Sequence, residues 1–305
     1  MIRAGLIHNP RSRLNRAAGA PRAVPEGLLL ESPRDRKALD GALAHFAQEG
    51  LELLIIDGGD GTVREVLTRA PAHFRSGLPT LAVLPSGKTN ALAFDLGAPR
   101  HWPLEAALAS AEAGRVAHRR PIEVIRAGAE APLVRGFIFG AGAFVRGVDL
   151  AQRAHKLGAF EGLAVGLTLG AAGVQTLFGG PRSGWRSGER MRLRLDDAPS
   201  VEGDVFLLFA STLQRLPLGI QPFGPRNAET IGTLSIEAPP KRLSLALRPL
   251  LTGRDAPWLE RAGYQRRNVE RMDVDLERGF VLDGETYAGG ELTVQAAPPL
   301  AFVIP

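Results

Sequence analysis

Two short turns in the first third of the chain, Gly58-Gly59-Asp60-Gly61-Thr62 and Ser86-Gly87-Lys88-Thr89-Asn90, each follow an apolar run and open a helix-like run. Such a junction suits an anion. Glycines let backbone N–H groups approach an oxyanion, and the following helix turns its positive dipole end to the same point. Thr62 could cap that helix or bond a phosphate oxygen. Asp60 would repel a phosphate unless a magnesium ion or a nucleotide hydroxyl lay between them; the plainer reading is a helix cap. The second turn ends in Gly87-Lys88-Thr89, as a Walker A loop does, but that loop needs a glycine where this chain has Ala82. Val83, Leu84 and Pro85 also continue a strand. The two turns are therefore expected at the carboxyl ends of neighbouring strands, able to face one crevice and share one nucleotide. A third group, Asp283-Gly284-Glu285, read alone is a hairpin turn between GFVL and TYAGGEL.

The elements that must position these residues change character along the chain. AGLIHNP, GLLLES, LELLIID and LPTLAVLP read as strands. Between and after them lie helical segments: PRDRKALDGALAHFAQEG, with Ala38, Leu39, Ala42, Leu43 and Phe46 on one face, then TVREVLTRA, TNALAFDLG and PLEAALASAEAG. Strands alternating with helices predict an α/β domain with a parallel sheet over residues 1–120. Across residues 121–305, PIEVIRAG, LVRGFIFGAG, RMRLRLDD, DVFLLFAST, GTLSIEA, VERMDVDLE and ELTVQA read as strands without regular helices between them. That predicts a mainly antiparallel β-sandwich. The last apolar strand, PLAFVIP, could return to the first domain.

Composition excludes more than it selects. The 305 residues carry a formal charge of +5, with 45% hydrophobic residues and no cysteine. Disulfides, thiolate metal sites and a thiol nucleophile are thereby ruled out. The six histidines form no paired motif, so a histidine metal site is not expected and metal ligands stay unassigned. The opening MIRAGLIHNPRSR lacks a signal-peptide core, so a non-secreted, cytoplasmic protein is expected. The uncharged stretch at 162–180 has Gly162, Gly166, Gly170 and Gly173 at helical spacing, which reads as a close-packing helix in preference to a membrane span. Arg153 precedes it, and Arg182, Arg186, Arg190, Arg192 and Arg194 follow. They read either as a rim for an anionic membrane surface or, for the last three, as the wet face of a strand.

Taken together, these motifs resemble the lipid kinases of the diacylglycerol kinase and sphingosine kinase type. Asn9-Pro10-Arg11-Ser12 matches the family's opening, and Gly58 to Thr62 with Glu65 matches its nucleotide loop. Pro85 to Asn90 lies where the family has Pro-x-Gly-Thr-Gly-Asn, Phe139 to Phe144 resembles its later glycine segment, and Val281 to Glu285 matches its Asp-Gly-Glu motif. The resemblance implies an α/β nucleotide domain and a β-sandwich domain, with ATP and lipid meeting in a cleft between them. It implies nucleotide binding by Asn9, Gly58, Gly59, Asp60, Gly61, Thr62, Glu65, Gly87, Lys88, Thr89 and Asn90, with Mg2+. Asp283 would be the general base, and Glu285 would orient it or bind metal. The implied activity is ATP-dependent phosphorylation of a hydroxyl of diacylglycerol or a related lipid at a membrane surface, with a peripheral position at the inner membrane. No nucleic-acid or protein partner is implied. An NAD kinase-like enzyme, which shares the glycine–aspartate loop, and a nucleotide- or lipid-binding regulator without turnover are the alternatives. Lys88 and Thr89 depart from the usual Thr and Gly, and Ala91 from a frequent Asp. Thr230 to Thr233 lacks the carboxylates tied to a structural metal in bacterial relatives, so that site is expected to be missing or altered.

Overall fold

The computed structural model describes residues 2–18, 24–148 and 186–305. The stretch at 162–180, Arg153 and Arg182 lie outside them. The chain divides into two compact units. The first comprises Met1–Pro121, Val134–Gly136 and Pro298–Pro305; the second comprises Ile122–Leu133 and Phe137–Ala297.

In the first unit, strands β1 (Ala4–His8), β2 (Leu29–Glu31), β3 (Leu53–Gly58), β4 (Thr80–Pro85), β5 (Val116–Arg119) and the last strand, β17 (Leu300–Val303), form one sheet. Its order is β2-β1-β3-β4-β17-β5. Every pairing is parallel except that of β17 with β5. β1 and β3 are buried along their whole length, which is why they read as unbroken apolar runs. Helix α1 (Arg13–Ala18) follows β1, and α2 (Arg36–Gln48) is capped by Asp35, whose side chain accepts from the Ala38 N–H at 2.8 Å. Leu39, Ala42, Leu43 and Phe46 form the buried stripe of α2. Helices α3 (Asp60–Arg69), α4 (Ala91–Asp95) and α5 (Leu104–Glu112) complete the first 121 residues. Asp95, fully buried, is paired with Arg119, which ties the end of α4 to β5. The short strand β7 (Val134–Gly136) belongs to this unit as well; the Arg135 N–H donates to Thr68 Oγ1 on α3 at 3.0 Å.

The second unit is built on antiparallel strands: β6 (Ile122–Arg126), β8 (Ile138–Gly142), β9 (Glu189–Leu195), β10 (Val201–Ser211), β11 (Ile231–Glu237), β12 (Tyr264–Val269), β13 (Arg271–Leu276), β14 (Phe280–Leu282), β15 (Glu285–Tyr287) and β16 (Gly290–Ala296). The mainly antiparallel β-domain expected from sequence is present, and its strands join into one curled sheet. The join is β10. Its first half, Val201 to Val205, pairs with β9, and its second half, Leu207 to Ser211, pairs with β8 on one side and β11 on the other, with a register shift between Val205 and Leu207. An irregular step within a long strand bends it and increases twist, so one strand serves both halves of the sheet. Stacked Phe139, Phe280 and Tyr287 fill one part of its interior, and Phe144, Phe209 and Phe223 another. Two helices, α6 (Leu243–Thr252) and α7 (Trp258–Arg261), lie between β11 and β12 in the chain. Among the described residues, no helix is long and apolar enough to cross a membrane.

Candidate active site

Three parallel strands of the first unit end in a buried polar row that the motifs do not announce. His8 ends β1, Asp57 is its register partner near the end of β3, and Ser86 follows β4. His8 Nδ1 lies 2.8 Å from Asp57 Oδ2, and the Ser86 hydroxyl donates to Asp57 Oδ1. Asp57 is fully buried, and His8 and Ser86 nearly so. A serine nucleophile needs the imidazole between hydroxyl and carboxylate; here the carboxylate is in the middle, so the row cannot activate Ser86. What it does is fix strand ends. It ties the start of the Asn9 turn and the start of the Lys88 turn to the strand carrying Gly58.

Upon this row sit the two glycine turns. The Ser86 N–H donates to the Gly58 carbonyl at 3.0 Å, and Gly59 and Gly87 meet Cα to Cα. A methyl group on Gly87 would lie 2.4 Å from the Gly59 Cα, and one on Gly59 would lie 2.9 Å from the Gly87 Cα. Both positions therefore require glycine for close approach, not for a left-handed backbone. Gly58 has no room for a side chain either, because Thr62 covers it.

The polar side chains of the first turn are engaged. Asn9 Nδ2 donates to Thr62 Oγ1 at 2.8 Å, while the Asn9 N–H donates to the Asp57 carbonyl at 2.9 Å. Asp60 Oδ1 accepts from the Ala91 N–H at 2.7 Å, so the carboxylate caps α4, the helix after the other turn. The capping role expected for an aspartate is thus met across the two turns. Burial pushes the Asp60 carboxyl above its ordinary range, against the opposing pull of backbone N–H donors from Ala91, Leu92 and Asn90. In the second turn Asn90 takes a left-handed backbone, φ 52°, and its side chain closes the loop by accepting from the Gly87 N–H at 2.8 Å. Lys88 and Thr89, at its tip, are exposed and make no hydrogen bond or ion pair among the described residues.

Glu65 is placed differently from the other residues of its motif. Its carboxylate is held by Arg36 of α2 at 3.0 Å and approached by Arg64 and Arg69 at 3.5 Å. Burial opposes ionisation, but the Arg36 hydrogen bond and the charges of Arg36 and Arg64 outweigh it, and the carboxyl lies below its usual range. It acts as a tie between α2 and α3. Beside the second turn, a cavity of about 240 Å3 is lined by Leu14, Asn15, Ser86, Arg100, His101 and Trp102 among others.

In the second unit, Asp283 and Gly284 form the two-residue turn of the β14–β15 hairpin, with φ of 45° and 80°. Positive φ at both positions is what an Asp-Gly hairpin turn supplies. The Asp283 side chain folds back over the start of β8. It accepts from the Phe137 N–H at 3.1 Å and the Ile138 N–H at 2.9 Å, while its own N–H donates to the Ile138 carbonyl. Asp283 is half-buried and Glu285 exposed. The hairpin turn read from the bare sequence and a fixed carboxylate are therefore one feature. Thr230 and Thr233 bond the Asn227 and Arg267 carbonyls, and among the described residues no three acidic or histidine side chains form a metal cluster.

The arginines after the apolar stretch are paired. Arg190 meets Glu202, Arg192 lies 3.9 Å from Asp275 and Glu291, and Arg194 pairs with Asp273, all on one face of β9, β10, β13 and β16. Asp273 also accepts from Thr293 and Arg271; these bonds overcome its desolvation and bring its carboxyl down to about 2. Arg186 donates to the Pro240 carbonyl at 3.0 Å.

Residues 4–127 match a family model described as the diacylglycerol kinase catalytic domain. No curated protein matches the chain in sequence. Among solved structures, a "putative diacylglycerol kinase" from Bacillus anthracis strain Sterne is similar, with a TM-score of 0.71 and 16% identity, covering 99% of this chain and 97% of that one. A second structure so described, from the same strain, has a TM-score of 0.66 at 17% identity with the same coverage. A third, described as a diacylglycerol kinase, gives 0.63 at 14%. At these identities the likeness shows a shared two-unit fold over the whole chain.

Proposed function

We propose that this chain, whose residues 4–127 match the diacylglycerol kinase catalytic-domain model, is an ATP-dependent lipid kinase. It would transfer the γ-phosphoryl group to a hydroxyl of diacylglycerol or a related lipid. The observation that carries the nucleotide part is the glycine-to-glycine seating of the two turns, Gly59 on Gly87. It leaves backbone N–H groups, the exposed Lys88 and Thr89, and no bulky side chain where phosphates would lie.

In this reading, Asp283 takes the proton from the acceptor hydroxyl as its oxygen bonds to the γ-phosphorus and the bond to the β-phosphate bridge breaks, leaving ADP. The Phe137 and Ile138 N–H groups would fix the carboxylate for that task. Lys88 is the side-chain cation at the second turn and would sit against a phosphate as a point charge. Bound Mg2+ would neutralise phosphate charge. The carboxylate nearest the turns, Asp60, is turned to the α4 backbone, so the donor set suits an ion that travels on the triphosphate and keeps most of its waters. Asn9 and Thr62 would hold the first turn's shape, and Glu65 its helix.

The test is incubation with radiolabelled ATP, Mg2+ and a panel of lipids bearing free hydroxyls, with identification of the labelled product. Label in a phosphatidic acid-type product is expected. Label in NADP alone would replace this reading with that of an NAD kinase-like enzyme. No product with intact ATP binding would leave a regulator.

A further inference from the structure

The paired arginines of β9 leave open how a lipid kinase would reach its substrate, and the second unit carries a different surface suited to it. Helix α6 (Leu243–Thr252) buries Ala246 and Leu250 on one side. Its other side presents Leu245, 64% exposed, with Arg248 one turn on. Leu251 at its end is 43% exposed. Alongside lies the turn at Pro217–Gly219, joined to the helix end by the Gln221 N–H donating to the Leu251 carbonyl at 2.9 Å. That turn carries Leu218, 71% exposed; with Val201, Leu218 and Leu245 are the most exposed large apolar side chains described.

On α6 or within two residues of its ends in the chain are Lys241, Arg242, Arg248 and Arg254, all exposed. Their side chains make no ion pair or hydrogen bond among the described residues. Neighbouring acids are turned elsewhere: Glu260 is bound to Arg267, and Asp255 acts on Arg266. Four cations with no carboxylate partner among the described residues, beside exposed leucines, are the reverse of the β9 face, where each arginine lies beside a carboxylate. Leucines seated at the acyl boundary with cations at the headgroups is the composition of an interfacial helix.

We propose that α6 and the Leu218 turn form the surface by which this protein docks on an anionic phospholipid bilayer. The inference rests on the lipid-kinase reading only for why a bilayer would be visited; the complementarity itself is in the side chains.

Co-sedimentation of the full chain with phosphatidylcholine vesicles, with and without phosphatidylglycerol, tests it. Binding is expected only to the anionic vesicles and should weaken with salt. Removing two cations, Arg242→Gln with Arg248→Gln, should weaken it about 25-fold, at roughly fivefold per cation. Leu245→Gln with Leu251→Gln should weaken it on the order of tenfold. Arg248→Lys should bind as the parent does, and so should Arg192→Gln, which removes a paired cation. Equal binding by the parent and both double variants, or equal binding to neutral vesicles, would overturn the proposal. So would a dimer in sedimentation velocity that Leu245→Gln converts to monomer, because the leucines would then belong to a second copy. Phosphorylation of a dispersed short-chain diacylglycerol separates the two readings. A parent that binds vesicles but phosphorylates no lipid keeps the docking surface and loses the kinase; one that phosphorylates the short-chain lipid but ignores vesicles does the opposite.

Discussion

The two glycine turns share a plan, yet their side chains are used in opposite ways. In the turn from Gly58 to Thr62, Thr62 and Asp60 are bonded to Asn9 and to the opening of α4. In the turn from Ser86 to Asn90, Ser86 and Asn90 are bonded within the scaffold, but Lys88 and Thr89 are exposed with no partner among the described residues. The first turn holds the second, and the second offers the free chemistry. Motif strength and chemical availability are therefore separate: the most recognisable residues here are largely structural, and the atypical Lys88 is the available cation.

Substitutions can break this contrast in order of size. Asp57→Ala should act most strongly, because it strands the buried Ser86 and His8 groups beneath both turns. At about 1–3 kcal/mol for each stranded group, the cost is about 2–6 kcal/mol in urea unfolding. Gly87→Ala should follow. Its methyl would meet the Gly59 backbone, at about 1–3 kcal/mol of overpacking, and ATP binding measured by calorimetry should fall more than tenfold. If ATP affinity survives that change, the two turns do not share a nucleotide.

Asp60→Ala removes the cap of α4 and should cost about 0.5–2 kcal/mol, most of which Asp60→Asn should restore by keeping an acceptor for Ala91. The pH dependence sharpens that case. Burial raises the native carboxyl above its ordinary 3.8, so the group's charge weighs against the fold. Stability should fall as pH rises from the unfolded value through the native one, and Asp60→Asn should flatten that fall. Smallest in stability is Lys88→Thr, within about 0.5 kcal/mol as for an exposed site. Its effect should appear instead as a higher KM for ATP; an unchanged KM would make Lys88 incidental.

Much of the fold is legible because β1, β3 and β4 are buried nearly throughout and read as apolar runs. Helix α1 was not, since none of its residues is buried and it has no apolar stripe. Helix α6 was hidden by Pro249 within it, and β12 by the charged and polar run between Tyr264 and Val269. The curled single sheet depends on β10 pairing differently along its two halves, a long-range property that local patterns do not carry. At the site, the glycines and Asp283 announced themselves. The row of His8, Asp57 and Ser86 did not, although each of three adjacent parallel strands has a polar residue at or beside its end, and that coincidence is the available signal. Sequence gives Asp60 a capping role but not its partner, because Ala91 is 31 residues away.

The most direct measurement pairs ATP affinity with phosphoryl transfer to diacylglycerol for Asp283→Asn against the parent. ATP affinity within about twofold of the parent is expected, with transfer slowed about 10²–10⁴-fold, the usual worth of a positioned general base. Transfer at the parent rate would contradict it.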